Sequence, residues 1–273
     1  MKCNIKNRPK TQPKKIPQVI NLDDCLYHGI GTYLEPEQKL NRVRAILDSN
    51  AILSENMQSN TFAFHNSRSR SPKCNGKEHI SICQKQSFVE PTKVSECYNC
   101  FISSGLSIIL DKSILDNPST TNEFNPKHIS DWLDGEYRVK DKINSSYFVG
   151  IGIPSSSLED VAQSFKNLHH FTLRESIEYV LNSDWFKDLS AIKSYMSYND
   201  IEFPIYSIVS GKQMGNLYSA FASAYNVNPN EVAELCGSLR QQDSPNPHQF
   251  RVGTIRNWKS SWEPTDFEDT FSI

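Results

Sequence analysis

The sequence has no apolar run near the roughly 20 residues that cross a bilayer, which excludes a helical membrane span. It has almost no net charge either. With 29 basic and 31 acidic residues the formal balance is −2, so no global field draws the chain to nucleic acid or acidic lipid. The basic residues Lys2, Lys6, Arg8, Lys10, Lys14 and Lys15 lead into no apolar segment, so residues 1–16 read as a basic flexible arm rather than a secretory leader. Internal repeats are absent. Gly29-x-Gly31 and Gly150-x-Gly152 are incomplete dinucleotide fingerprints, and the second runs into Pro154 instead of opening a helix, which argues against a Rossmann unit. Seven cysteines, odd in number and unevenly spaced, fit free thiols in a reducing compartment better than a disulfide framework. Cys97-x2-Cys100 with Cys74, His79 and Cys83 nearby has the donor types of a zinc site. The second close pair that such sites use is missing, so no metal is expected.

What is present fits a globular chain of 273 residues, 37% hydrophobic and 22% charged, long enough for two unequal parts. Val19 to Tyr27 reads as a first strand, and Leu40, Val43, Ile46 and Leu47 recur at helical spacing through Asn50. Ala51 to Ser54 is a short extended piece, followed by a long polar stretch from Glu55 to Lys77 that reads as an exposed loop. His79 to Cys83 and Ser104 to Leu110 read as strands, as do Glu136 to Lys140 and Tyr147 to Ile153. The link Asp141 to Ser146 is short enough to return the last two as an antiparallel pair. After Pro154 the periodicity turns helical. Capping boxes are expected at Ser156-x-x-Glu159 and Asn228-x-x-Glu231, with apolar stripes at Leu173, Ile177, Val180 and Leu181 and at Leu189, Ile192, Tyr195 and Met196.

Two short stretches carry candidate chemistry. In Cys25-Leu26-Tyr27-His28-Gly29, a histidine at the end of an apolar strand offers an imidazole, and the glycine after it leaves the backbone uncovered for close approach of a ligand. In Gly135-Glu136-Tyr137-Arg138-Val139-Lys140, a glutamate opens an alternating strand and can aim its carboxylate into the same cleft.

The order of these pieces resembles the ADP-ribosyltransferase family over roughly residues 19–154. It runs from Tyr27-His28-Gly29, through Ala45-Ile46-Leu47 before Ala51-Ile52-Leu53-Ser54, Ile80-Ser81-Ile82 and Gly105-Leu106-Ser107-Ile108-Ile109-Leu110, to Gly135-Glu136. The resemblance implies an α+β fold: a split, mostly antiparallel β-sandwich holding NAD in a cleft, with a helical C-terminal region. It implies that Glu136 is the catalytic carboxylate and that His28, Gly29, Ser81 and neighbouring Tyr27 line the cofactor site. Breaking the nicotinamide–ribose bond builds positive charge on the ribose, which a fixed carboxylate stabilises. His28 is expected to donate to a ribose hydroxyl, Gly29 to pair with the nicotinamide amide, and Ser81 to steady Glu136. Arginine-modifying members resemble Glu-x-Glu or Gln-x-Glu at the last motif. Here Asp134-Gly135-Glu136 puts a shorter carboxylate, Asp134, where the acceptor is oriented. The middle motif, Ser81-Ile82-Cys83, follows a histidine-first pattern with a serine, which mixes two branches of the family.

Arg251-Val252-Gly253-Thr254-Ile255-Arg256-Asn257-Trp258 looks like the Arg-x-Gly-x-x-Gly-x-Trp stretch of sulfotransferases, with Arg256 in place of the second glycine. The tail from Glu263 to Ile273 is acidic and resembles the terminal signals of bacterial type IV secretion effectors, which implies work inside a host cell. The expected organisation is an arm at 1–16, an NAD-binding domain at 17–154, a helical region at 155–258 and an acidic tail at 259–273. The expected activity is transfer of ADP-ribose from NAD to a host protein side chain, arginine first. The balanced charge disfavours nucleic acid as acceptor, and the alternatives are a non-catalytic binding protein on the same fold or a sulfotransferase-like nucleotide-dependent transferase.

Overall fold

The computed structural model describes residues 16–30, 36–57, 78–84, 105–121 and 137–242. In chain order these form β1 (Cys25–Gly29), α1 (Pro36–Ser49), β2 (Ala51–Leu53), β3 (His79–Gln84), β4 (Ser107–Asp111), β5 (Thr120–Thr121), β6 (Tyr137–Lys140), β7 (Lys142–Asn144) and β8 (Phe148–Ile153). There follow α2 (Leu158–Asn167), α3 (Leu173–Asn182), α4 (Asp184–Tyr198), β9 (Ile205–Ser207), α5 (Leu217–Tyr225) and α6 (Pro229–Gln242). The result is a mixed α/β fold around a mostly antiparallel sheet, with six helices among the described residues.

The main sheet has seven strands in the order β5-β6-β3-β1-β4-β8-β9, and a separate two-stranded sheet pairs β2 with β7. Each described pair in the main sheet is antiparallel except β8 with β9. β1 lies at its centre between β3 and β4, which explains why all five of its residues are buried and why its sequence shows no polar alternation. One face carries Leu26, Ile30, Ile80, Ile82, Ile108, Leu110 and Val139 into the larger core, against α1 and the C-terminal helices. The other carries Cys25, Tyr27, Cys83 and Ile109 into a smaller core closed by Leu22, Tyr206 and Ile208.

Several elements differ from their sequence expectations. The first strand begins only at Cys25. Asn21 accepts from Asp23 N and starts a 3-10 turn over Leu22–Asp24, so a polar side chain that caps a turn interrupts the extended run. Val19 keeps an isolated bridge to Lys212. β6 and β8 do not return on each other. At Asp141 the backbone takes a left-handed conformation (φ 64°), and residues 142–144 leave the main sheet as β7 to pair with β2. β8 then enters beside β4, with β3, β1 and β4 lying between it and β6. The helix after Pro154 is capped one residue later than its sequence signature, by Ser157, whose hydroxyl accepts from Asp160 N at 3.2 Å. At α6, Asn228 accepts from Asn230 N and donates its own N–H to Glu231, as expected of that signature. Ile177, Val180, Leu189, Ile192 and Met196 are buried, so the two helical stripes face the core.

The region after Pro154 is mostly helical, and it returns one strand to the sheet. β9 lies along β8, with Ile151 opposite Ile205 and Gly152 opposite Tyr206. Gly150 and Gly152 make that approach feasible: a Cβ on Gly150 would fall 2.7 Å from Pro204 O, and one on Gly152 2.5 Å from Ile208 Cγ2. The segment before β1 is strapped across the same region. Ile20 N donates to Gly211 O at 2.9 Å, Gln213 N to Gln18 O at 2.9 Å, and Tyr206 OH to Pro17 O at 2.9 Å. α1 meets α4 through a Lys39–Asp188 ion pair. Arg44 lies 4.9 Å over the Tyr195 ring, and the Tyr195 hydroxyl donates to Asp48 at 2.6 Å. No helix among the described residues is long and apolar enough to cross a membrane.

Candidate functional site

His28 is 1% exposed at the C-terminal half of the central strand. The β1–β3 register runs Leu26↔Gln84 and Tyr27↔Cys83, and further along β3 the Ser81 carbonyl meets His28 Nδ1 at 3.0 Å. A carbonyl oxygen only accepts, so Nδ1 carries the proton in this bond.

The strand end around His28 is fixed from three sides. Ile30 N donates to Leu106 O at 2.8 Å, Gly29 lies opposite Ser107 on β4, and the buried Arg42 of α1 donates from Nη1 to Ile30 O at 3.1 Å. Arg42 was not a sequence candidate. It sits one residue before Val43, beside the apolar stripe of α1, and its only signal is that a helix face packed on strands leaves little room for a charged neighbour. Ser107 is fully buried, and its hydroxyl has no hydrogen-bond partner among the described residues.

Ser81 and His28 leave the sheet on opposite faces. Alternation puts His28 with Leu26 and Ile30 on the larger-core face, whereas Ser81 shares the face of Cys83. What joins the two is therefore the Ser81 backbone rather than its hydroxyl. Across the sheet Ser81 lies opposite Arg138, and Ile82 opposite Tyr137. Ser81 and Arg138 are both buried, which makes the second face polar at this point, beside the Tyr27–Cys83 pair. Sequence alternation alone gives Arg138 a solvent-facing place, whereas in the structure it is buried.

Tyr27 is fully buried on the smaller-core face, and its hydroxyl donates to Leu22 O at 3.2 Å. Burial, with Cys25, Cys83 and Asp23 adding negative charge nearby, pushes that phenol well above its usual range. Glu136 and Asp134 lie outside the described residues, as do Cys74, Cys97 and Cys100, the stretch from Arg251 to Trp258 and the acidic tail. Among the described residues no three His, Cys, Asp or Glu side chains group as metal ligands.

The chain matches no protein-family model, no curated protein and no solved structure. The geometry therefore stands alone: a buried imidazole with a fixed tautomer at the end of the central strand, on neighbouring strands with a serine and with Tyr137, the residue that follows Glu136.

Proposed function

We propose that the chain is a mono-ADP-ribosyltransferase on a split-sandwich ADP-ribosyltransferase fold. It would cleave NAD between nicotinamide and ribose and transfer ADP-ribose to a protein side chain, arginine first. The observation that carries this reading is the strand order β6-β3-β1, in which the three motif-bearing segments are consecutive neighbours although they are separated widely in sequence. That adjacency is what one nucleotide cleft needs from a histidine strand, a serine strand and the strand that Glu136 precedes.

The residues then take defined parts. His28, its Nδ1–H held by Ser81 O, hydrogen-bonds a ribose hydroxyl through Nε2. The Gly29 backbone orients the nicotinamide amide. Glu136 stabilises the ribosyl cation as the C1–N bond breaks and its electron pair leaves with nicotinamide. The acceptor nitrogen then bonds to C1 and releases a proton to Asp134, which pairs with the guanidinium. The reading of the protein as a bacterial effector acting in a host cytosol rests on the acidic stretch from Glu263 to Ile273.

A second reading is favoured by the closure of His28 and the complete burial of Tyr27: a non-catalytic binding protein on the same scaffold. One experiment separates the two. The full chain is incubated with labelled NAD and cell lysate, free nicotinamide is measured, and the modified site is mapped by mass spectrometry. Catalysis requires nicotinamide release that falls at least ~10²-fold in Glu136→Gln. Asp134→Asn should spare NAD hydrolysis and depress transfer to protein. Binding of NAD without release would leave the non-catalytic reading.

A further inference from the structure

Far from β1, α3 and the start of α4 form an open groove of about 650 Å³ whose lining includes Phe171, Glu175, Glu178, Tyr179 and Trp185. Its surface is mostly apolar, and its lining combines aromatic and acidic side chains. Tyr179 is 59% exposed.

The aromatic rings are held in place before any partner arrives. Phe165 packs edge-on against Tyr179 at 5.1 Å between centroids and tilts against Phe171 at 5.5 Å, while Trp185 is braced edge-on by Phe186 at 5.8 Å. Rigid aromatic anchors lose little freedom on binding, which is why such residues dominate interfaces. The charged residues that line the groove, Glu175 and Glu178, are both acidic, and Arg174 stands one turn before Glu178 on the same helix. Glu175 is fixed by the Thr172 capping box, whose hydrogen bonds hold its carboxyl below the usual range, so it stays ionised. Glu178 follows it on the same helix. No lysine or arginine is among the residues lining the groove, and nearby Lys187 is engaged by Asp184 at 3.5 Å.

We propose that this groove is a docking site for an arginine-bearing segment of a partner protein. A guanidinium can stack on the Tyr179 or Trp185 face and pair with Glu178 at the same time, a combination that an ammonium matches less well and a neutral apolar side chain does not match at all. The site is separate from His28 and does not depend on NAD being the substrate. If the chain is a transferase, the groove recruits the target and the acceptor is modified elsewhere.

The test is a titration of the full chain with fluorescein-labelled octa-arginine at about 0.15 M salt, read by fluorescence anisotropy. Saturable binding is expected, weakened about 5-fold in Tyr179→Ala and about 10-fold or more in Glu178→Lys, and unchanged in His28→Asn. Octa-lysine should bind more weakly than octa-arginine. Glu178→Lys alters an exposed side chain, and circular dichroism checks that it folds, so it carries the test if Tyr179→Ala does not. Equal affinity in wild type and Glu178→Lys would overturn the proposal, because the peptide would then be reading another acidic stretch. Absence of saturable binding, equal binding of a neutral leucine-rich peptide, or self-association abolished by Tyr179→Ala would overturn it too.

Discussion

Lys39 of α1 and Asp188 of α4 form a 3.0 Å ion pair that is 14% and 6% exposed, and it joins the sheet-forming half of the chain to the helices that follow Pro154. Burial raises the Asp188 carboxyl above its usual range, and Lys39 pulls it back only in part. The pair therefore costs solvation on both sides and depends on its geometry. Lys39→Met, which strands a buried carboxylate, should cost about 3 kcal/mol in urea unfolding. Lys39→Met combined with Asp188→Leu should lie close to wild type. A double variant as unstable as the single one would show that the contact is not an isolated pair.

His28 allows stability and ligand binding to be separated. An asparagine amide can reach the position of Nδ1 but not that of Nε2. His28→Asn should keep the bond to Ser81 O and nearly keep the unfolding midpoint, while NAD affinity measured by calorimetry falls. His28→Ala should lose both, with a stability cost of about 1–3 kcal/mol for a stranded buried carbonyl. Unchanged NAD affinity in His28→Asn would remove Nε2 from the site.

The sequence made some of this visible and concealed the rest for identifiable reasons. α1 was legible because Leu40, Val43, Ile46 and Leu47 keep a helical period, and β3 and β8 because short apolar runs stop at turn-forming neighbours. β9 was not, since three residues between two loops carry no periodicity and owe their conformation to β8. The neighbouring of β6 and β3 is likewise a long-range pairing that no local pattern encodes. Of the candidate site, His28 and Gly29 were placed correctly at the end of a buried strand. The opposite facing of Ser81 depended on register, where a single step reverses every side chain. Arg42 and Arg138 were missed because burial of a charged residue is decided by what packs over it.

Thiol chemistry offers a check on burial. Desolvation, then Asp111 and Asp24, pushes the Cys25 thiol from 9.0 to about 11, and desolvation takes Cys236 from 9.0 to about 11 against the pull of Arg240. Both should resist alkylation of the folded protein at about pH 8 and react once urea unfolds it, as mapped by mass spectrometry. The native state also holds more protons than the unfolded chain between pH 9.0 and about 11 at these positions. The stability they contribute is complete below that window and is lost as pH rises through it. In Cys25→Ala the decline measured by urea titration should be shallower.

Gly211 adopts φ +72°, and a Cβ there would lie 2.3 Å from the Ile20 carbonyl, a backbone atom with no freedom to yield. Gly211→Ala should therefore cost about 1–3 kcal/mol. Hydrogen exchange at Ile20, whose amide donates to Gly211 O, should accelerate more than exchange in α3. Equal acceleration throughout would mean a global loss instead of a released strap.

The place of β9 also sets a timetable for the growing chain. A ribosome delivers β1, β3, β4 and β8 in order, and for the next fifty or so residues the outer side of β8 has no strand to pair with, because its neighbour is still being made. An open, glycine-bearing edge invites pairing with another nascent chain. Helices α2 to α4 emerge during that interval and can pack locally at once, which leaves closure of the sheet, together with the strap over Gly211, as a late and slow event dominated by distant contacts.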